Sequence, residues 1–155
     1  MGNRQFPPAS VDQVLGLLKV LKSLGGRTDI YRIDEEVEID FDELSNAVNA
    51  AKILGLVVTE GGDVELTELG DRVLREGLEG VRDLLARRVA ELSPFAEILS
   101  RLRAQGTLKL EEVVKLLCAL GYCDDILVRR MLGWGVQLGV LYISSDSVMP
   151  AQETS

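Results

Sequence analysis

The residues most capable of chemistry in this sequence are carboxylates, and they are concentrated in one run. The segment DEEVEIDFDE, residues 34–43, contains seven Asp or Glu residues. Closely spaced carboxylates can act as an acid–base pair or bind calcium. A calcium loop needs a glycine at its sharp turn, and this run has none. We therefore interpret the run as a solvated acidic face whose members also cap helices.

Other catalytic chemistry has little support in the composition. The chain has no histidine, so the usual triads, histidine-liganded metals and imidazole acid–base chemistry are excluded. It also lacks the Gly-x-x-x-x-Gly-Lys-Ser/Thr loop that holds nucleotide phosphates. Gly133, Gly135 and Gly139 lie within or at the end of a predicted helix, not in the strand-to-helix turn of a dinucleotide site. We expect no enzyme activity, no cofactor and no metal.

Cys118 and Cys123 are the two cysteines of the chain. Without histidine they cannot complete a four-ligand zinc site unless carboxylates or a second chain contribute. We interpret them as buried or partly buried thiols. A disulfide between them is the alternative, because intracellular disulfides occur in hyperthermophiles, and the sequence leaves this open.

Periodicity and capping motifs predict the elements that position these residues. Ser10 and Gln13 have capping-box spacing, which predicts a helix over residues 11–24. A brief second helix follows, and a third begins after Asp40. The segments LVVT and DVEL alternate around Gly61-Gly62, which predicts a two-residue hairpin.

The second half of the chain repeats this order. PFAEILSRLRAQG, LKLEEVVKLLCALG and DDILVRRMLGWGVQLG are predicted helices, and the β-rich segment VLYISSDSVM follows. We predict a mostly α (α+β winged-helix) fold with two winged helix-turn-helix-like units in tandem, joined by a long helix. The expected parts are an N-terminal tail (1–10), a first unit (11–67), a connecting helix (68–93), a second unit (94–149) and a C-terminal tail (150–155). Gly77 and Gly80 are the positions at which the connecting helix can break or bend.

Three segments carry a resemblance to a known family: VLGLLKVLKSLGGRTDIYRI, LSNAVNAAKILGLVVTEGGDVELTELGDRVL and MLGWGVQLGVLYISSDS. They resemble the AAA-associated C-terminal domain family, and the similarity extends from about Val11 to Met149. In that family the domain follows the ATPase subunit of nitrate/sulfonate-type ABC importers, and it also occurs as a free-standing protein. The resemblance implies an ABC transporter ATPase subunit or a related protein as the partner. It carries over no catalytic or ligand-binding residue.

The charge is unevenly distributed along the chain. The formal net charge is −8, and residues 1–80 contain 16 acidic and 8 basic residues, whereas residues 81–155 contain 9 of each. Excess negative charge disfavours a nucleic-acid partner for the first unit and favours a protein partner. The expected protein interface consists of Glu60, Asp63, Glu65, Asp42 and Glu43.

These observations favour a non-enzymatic regulatory or protein-interaction module associated with an ABC-type transporter ATPase. The alternative is a winged-helix DNA-binding transcriptional regulator, acting as a homodimer. Its expected nucleic-acid contacts are Arg101, Arg103, Arg129 and Arg130. A third hypothesis is an effector sensor with a pocket between the units. Since no stretch approaches the roughly 20 apolar residues of a membrane span, and the start lacks a secretory signal, we expect a cytoplasmic protein without membrane insertion.

Overall fold

The structure is a computed structural model that describes residues 4–151. Within that range the chain is mostly helical with two small antiparallel sheets, which confirms the predicted mostly α, α+β class. The chain forms two compact units. The N-terminal unit is Pro7–Val81, and the C-terminal unit combines the residues through Phe6 with the chain from Arg82 onward. In the described part of the chain, no helix is both long and apolar enough to cross a membrane.

The N-terminal unit is built from helices and a three-stranded sheet. Its elements are α1 (Val11–Ser23), β1 (Arg27–Asp29), α2 (Ile30–Glu36), α3 (Phe41–Ile53), β2 (Val57–Glu60), β3 (Asp63–Leu66), α4 (Glu68–Glu76) and a 3-10 helix (Leu78–Val81). The strand order is β1-β3-β2. The predicted capping box of Ser10 and Gln13 is confirmed. Gly61 and Gly62 both have positive φ, 58° and 91°, as a two-residue hairpin turn requires.

The core of this unit lies where α1 and α3 pack against each other and against the sheet. Leu17, Leu18 and Leu21 of α1 are buried, as is Leu44 of α3. Each such side chain stabilises the unit by about 1.5–3 kcal/mol through removal of apolar surface from water. Gly70 of α4 lies so close to the chain before β2 that an added Cβ would be 2.2 Å from the Leu56 carbonyl oxygen.

The stretch predicted as one long connecting helix is interrupted. Helix α4 ends at Glu76, and Gly77 follows with a φ of 79°. After the 3-10 helix, α5 (Arg82–Ala90) begins and belongs to the other unit. Because the left-handed conformation at Gly77 ends the helical hydrogen-bond ladder, two short helices replace the predicted single one.

The C-terminal unit repeats the order of elements of the N-terminal unit. After α5 come α6 (Phe95–Gln105), β4 (Leu108–Lys109), α7 (Leu110–Ala119), α8 (Asp125–Gln137), β5 (Leu141–Ser144) and β6 (Ser147–Pro150), with strand order β4-β6-β5. Helix, strand, helix, helix, strand, strand therefore occurs twice. The sequence did not predict β1 and β4, which have three and two residues. Assignment of both units as winged helices remains an interpretation of this repeated order.

The core of the C-terminal unit is aromatic at its centre. The ring of Phe6 meets those of Phe95 and Trp134 edge to face, with centroid distances of 5.8 and 5.2 Å. The Phe6 amide donates to the carbonyl of Ser93 at 2.7 Å, and the Tyr122 hydroxyl donates to the Phe6 carbonyl at 2.6 Å. Phe6 is fully buried, so this part of the predicted N-terminal tail is structural.

The two predicted tails lie partly outside the described residues. Residues 1–3 and 152–155 are not described, so the expectation for them is untested. Inside the described range, Ala9 is buried and Ser10 caps α1. Pro150 belongs to β6.

Candidate functional site

The predicted acidic interface begins on the hairpin of β2 and β3, where one arginine joins the three acids. Arg27 of β1 lies beside β3, and its guanidinium forms ion pairs with the hairpin carboxylates. The N···O distances are 3.1 Å to Glu65, 3.3 Å to Asp63 and 3.9 Å to Glu60. The hydrogen bond to Glu65, and then that to Asp63, raises the pKa of Arg27 above its ordinary value.

Arg27 reduces the charge of the hairpin without cancelling it. Three carboxylates and one guanidinium leave a local charge of −2. All four groups are substantially exposed, so the ion pairs contribute little to stability. Sequence reasoning missed Arg27 because β1 was not predicted. The available signal was its position directly after Gly25-Gly26, where the chain turns back toward the hairpin.

The other two predicted interface residues, Asp42 and Glu43, lie at the start of α3 and differ in environment. Asp42 is exposed, and it makes no ion pair with any described residue. Glu43 is half-buried, and its carboxylate accepts a hydrogen bond from the side-chain amide of Gln13. Asp40 occupies the N-cap position of α3, but its side chain makes no capping hydrogen bond. Asp40 and Asp42 are therefore accessible to a partner, whereas Glu43 is less accessible and also has a structural role.

Two aromatic rings lie exposed beside these acids. Tyr31 of α2 and Phe41 of α3 stack with their ring centroids 5.6 Å apart and an angle of 11° between the ring planes. Tyr31 is 69% exposed and Phe41 is 40% exposed. We call them the aromatic pair. The sequence offered a signal for them, because one ring precedes the acidic run and the other lies within it, but neither ring was among the predicted interface residues.

The segment that carries the aromatic pair holds most of the chain's excess negative charge. Residues 29–43 contain eight acidic residues and one arginine, a net −7 in a chain whose formal net charge is −8. Arg32 pairs with Glu35 at 3.2 Å and Glu36 at 3.5 Å. Four further acids form no ion pair within residues 4–151: Asp34, Glu38, Asp40 and Asp42.

The arginines proposed for nucleic-acid contact lie in the C-terminal unit. Arg101 and Arg103 are exposed on α6, Arg129 is exposed on α8, and Arg130 is half-buried there. The hairpin turn of this unit, residues 144–147, reads Ser-Ser-Asp-Ser and adds no positive charge. Positive charge is therefore present on the helices but not on the hairpin, where a winged helix would contact phosphate.

The two cysteines are joined by a disulfide and are both exposed. Their Cα atoms are 4.0 Å apart, at the end of α7 and in the loop before α8. The interpretation as buried or partly buried thiols is therefore replaced by the disulfide alternative. Among residues 4–151, no group of three or more His, Cys, Asp or Glu side chains has the geometry to hold a metal ion.

Comparison with known protein families gives a match over more than half of the chain. Residues 31–136 match the family described as C-terminal AAA-associated domain. The matched range begins at Tyr31 and continues into α8, so it covers the aromatic pair and the acidic run. Comparisons with curated proteins and with solved structures gave no match.

Proposed function

We propose, because the chain belongs to the C-terminal AAA-associated domain family, that it is a non-enzymatic regulatory or protein-interaction module. Its partner in this proposal is the ATPase subunit of an ABC-type transporter of the nitrate/sulfonate kind. Family membership supports the class of partner, and the distribution of charge supports the mode of binding. Docking takes place through the acidic N-terminal unit on a basic surface of the ATPase.

The net −7 of residues 29–43 is the observation that carries this mode of binding. Complementary charge steers association and suppresses wrong partners. The proposed interface retains the hairpin acids Glu60, Asp63 and Glu65, with Asp42 and Glu43 at the start of α3. Arg27 leaves the hairpin negative, so a basic partner is still attracted to it.

The absence of catalysis is part of the proposal and is supported by the sequence. The chain has no histidine and no phosphate-cradling loop, so we assign nucleotide hydrolysis to the partner. The module acts by occupying a surface of the ATPase and changing the equilibrium between its conformations. Any such regulation requires different affinities for two states of the partner.

A direct test uses the purified chain and a purified ABC ATPase subunit from the same organism that lacks its own C-terminal extension. Titration calorimetry should detect a complex whose dissociation constant rises as salt is added, because the interface is charged. Neutralising the hairpin and Asp42 together, with Glu60→Gln, Asp63→Asn, Glu65→Gln and Asp42→Asn, should weaken binding about tenfold or more.

A matched control removes the same number of charges from the C-terminal unit. The exposed acids Asp83, Glu91, Glu111 and Asp125 serve this purpose as Asn or Gln variants. The control should bind like the unmodified chain. Absence of a complex at any salt concentration, or equal weakening in both variants, contradicts the proposed docking mode.

The DNA-binding regulator remains the alternative, with Arg101, Arg103, Arg129 and Arg130 as its contacts. A gel shift with random duplex at low salt tests it. Tight binding that falls steeply with salt, and that is lost on Arg129→Ala with Arg130→Ala, would favour the regulator over the docking module. If the docking proposal is correct, we expect no gel shift with duplex DNA, and we expect Arg129→Ala with Arg130→Ala to leave binding to the ATPase unchanged.

A further inference from the structure

The aromatic pair is an exposed apolar surface with a strongly charged border. Tyr31 and Phe41 belong to different helices, so their stacking depends on the fold of the N-terminal unit rather than on local sequence. Isolated exposed hydrophobic residues need no explanation, but two stacked rings present a continuous apolar face. Aromatic residues are enriched at protein interfaces because they bury a large area with few rotatable bonds.

The charge around the rings selects the chemistry of an occupant. Asp40 and Asp42 flank Phe41 in the chain, and Asp34 lies one helical turn after Tyr31 on α2. None of these three acids pairs with a cation within residues 4–151. An occupant must therefore supply positive charge to the carboxylates and a flat or apolar group to the rings.

Among protein side chains, arginine meets both requirements. Its planar guanidinium stacks on aromatic faces and also binds carboxylates with two parallel hydrogen bonds. Lysine supplies the charge but stacks less well, because its ammonium is compact and strongly hydrated. The surface thus has the chemistry to distinguish arginine from lysine, which net charge alone could not do.

We propose that the aromatic pair and its flanking carboxylates form a docking surface for an arginine-bearing basic segment of a partner protein. The guanidinium stacks on the exposed rings of Tyr31 and Phe41, and Asp40 and Asp42 bind its edge or its basic neighbours. This inference rests on the proposed docking role and specifies where on the N-terminal unit the partner is recognised.

The test measures peptide binding to the full chain by fluorescence anisotropy. The probes are a labelled glycine–arginine repeat peptide and a glycine–lysine repeat peptide of equal length and charge. The unmodified chain should bind the arginine peptide about fivefold more tightly than the lysine peptide. The double variant Tyr31→Leu with Phe41→Leu keeps apolar side chains but has no ring face. It should bind both peptides with the weaker affinity of the lysine peptide.

Two further variants separate stacking from charge. Tyr142→Leu replaces an aromatic residue that is 57% exposed in the C-terminal unit, and it should keep the arginine preference. Asp40→Asn with Asp42→Asn should weaken both peptides and reduce the salt dependence while the arginine preference persists. A circular dichroism melt of each variant checks that the N-terminal unit remains folded.

Equal affinity for the two peptides, or a preference that survives loss of both rings, would overturn the proposal. Self-association of the chain that disappears in the Tyr31→Leu, Phe41→Leu variant would also overturn it, since the occupant would then be a second copy. Arginine preference without binding to an ABC ATPase would reject the proposed function but would still support the proposed arginine-binding surface. Binding to the ATPase without arginine preference would support the proposed function and reject the proposed arginine-binding surface.

Discussion

The Tyr122 hydroxyl makes a buried hydrogen bond whose removal we expect to destabilise the C-terminal unit by about 1–3 kcal/mol. Tyr122 is 2% exposed and Phe6 is fully buried. The hydroxyl donates to the Phe6 carbonyl oxygen at 2.6 Å. Tyr122→Phe removes the hydroxyl donor, so the buried Phe6 carbonyl oxygen loses this hydrogen bond at a site from which water is excluded. The expected loss of unfolding free energy exceeds the net contribution of an ordinary hydrogen bond, because the variant leaves a desolvated oxygen without a replacement for its hydrogen bond.

The same phenol makes stability depend on pH in the alkaline range. Burial raises the pKa of Tyr122 to about 12 from an ordinary value of 10.0, the side-chain hydrogen bond from Gln5 opposes the rise, and the charge of Glu97 adds to it. The folded pKa lies above the unfolded one, so the contribution is fully present below pH 10.0 and is lost as pH rises toward about 12. The shift of two units corresponds to about 2–3 kcal/mol.

Trp134 provides the readout. It is the single tryptophan of the chain, is fully buried and contacts the Phe6 ring, so its fluorescence follows unfolding of the C-terminal unit. Urea titrations near neutral pH give the free energy of unfolding of Tyr122→Phe and of the unmodified chain. Titrations by circular dichroism between pH 10 and 12 then test the pH dependence.

Tyr142→Phe is the matched control, because its side chain is 57% exposed and the change removes the same atom. It should leave the free energy of unfolding unchanged. The advantage of the unmodified chain over Tyr122→Phe should shrink as pH rises from 10 toward 12. If Tyr122→Phe unfolds at the same urea concentration as the control, or if both chains lose stability equally with pH, the assigned hydrogen bond does not contribute as argued.

Three further changes have clear expected outcomes. Gly70→Ala should destabilise the N-terminal unit by about 1–3 kcal/mol, because the added Cβ would overlap the Leu56 carbonyl oxygen. Gly16→Ala in α1 is the control, because its Cβ would meet open space, and it should stabilise the same unit by up to about 1 kcal/mol. Thermal melts measure both effects. Replacing Cys118 and Cys123 by Ser should lower the stability of the C-terminal unit by about 2 kcal/mol in tryptophan-monitored urea titrations. Arg27→Gln should leave the melting temperature unchanged and tighten binding of the glycine–arginine peptide, because it removes the hairpin's own cation.

Features decided by neighbouring residues could be predicted from the sequence. The capping box of Ser10 and Gln13 and the Gly61-Gly62 turn both depend on contacts within a few residues. Each was predicted and each is present. The capping role of Asp40 was predicted on the same grounds, but its side chain makes no such bond, and Glu43 accepts from Gln13 across to α1 instead.

Features decided by distant residues could not be predicted. Strand β1 has three residues and exists because β3 pairs with it, with Arg27 opposite Glu65. The charge of the hairpin was therefore overestimated, and Arg27 was missed. The aromatic pair joins residues from two helices, and hydrophobic periodicity identifies buried faces rather than exposed stacks. The interface residues predicted from the sequence accordingly remain proposals, and the proposed site of partner recognition now includes Tyr31 and Phe41 beside Asp40 and Asp42.

The burial of Phe6 in the C-terminal unit has a consequence for how the protein is made. Phe6 leaves the ribosome before residues 7–81, whereas its packing partners Phe95 and Trp134 leave after them. The N-terminal unit can fold while the chain is still being synthesised, whereas the other unit must wait for α8 and then bind a segment that was synthesised before the N-terminal unit. A fragment that starts at Arg82 would lack Phe6 and its contacts with Phe95 and Trp134. If the protein is divided between Val81 and Arg82, we therefore expect the N-terminal fragment to fold stably and the C-terminal fragment to be destabilised.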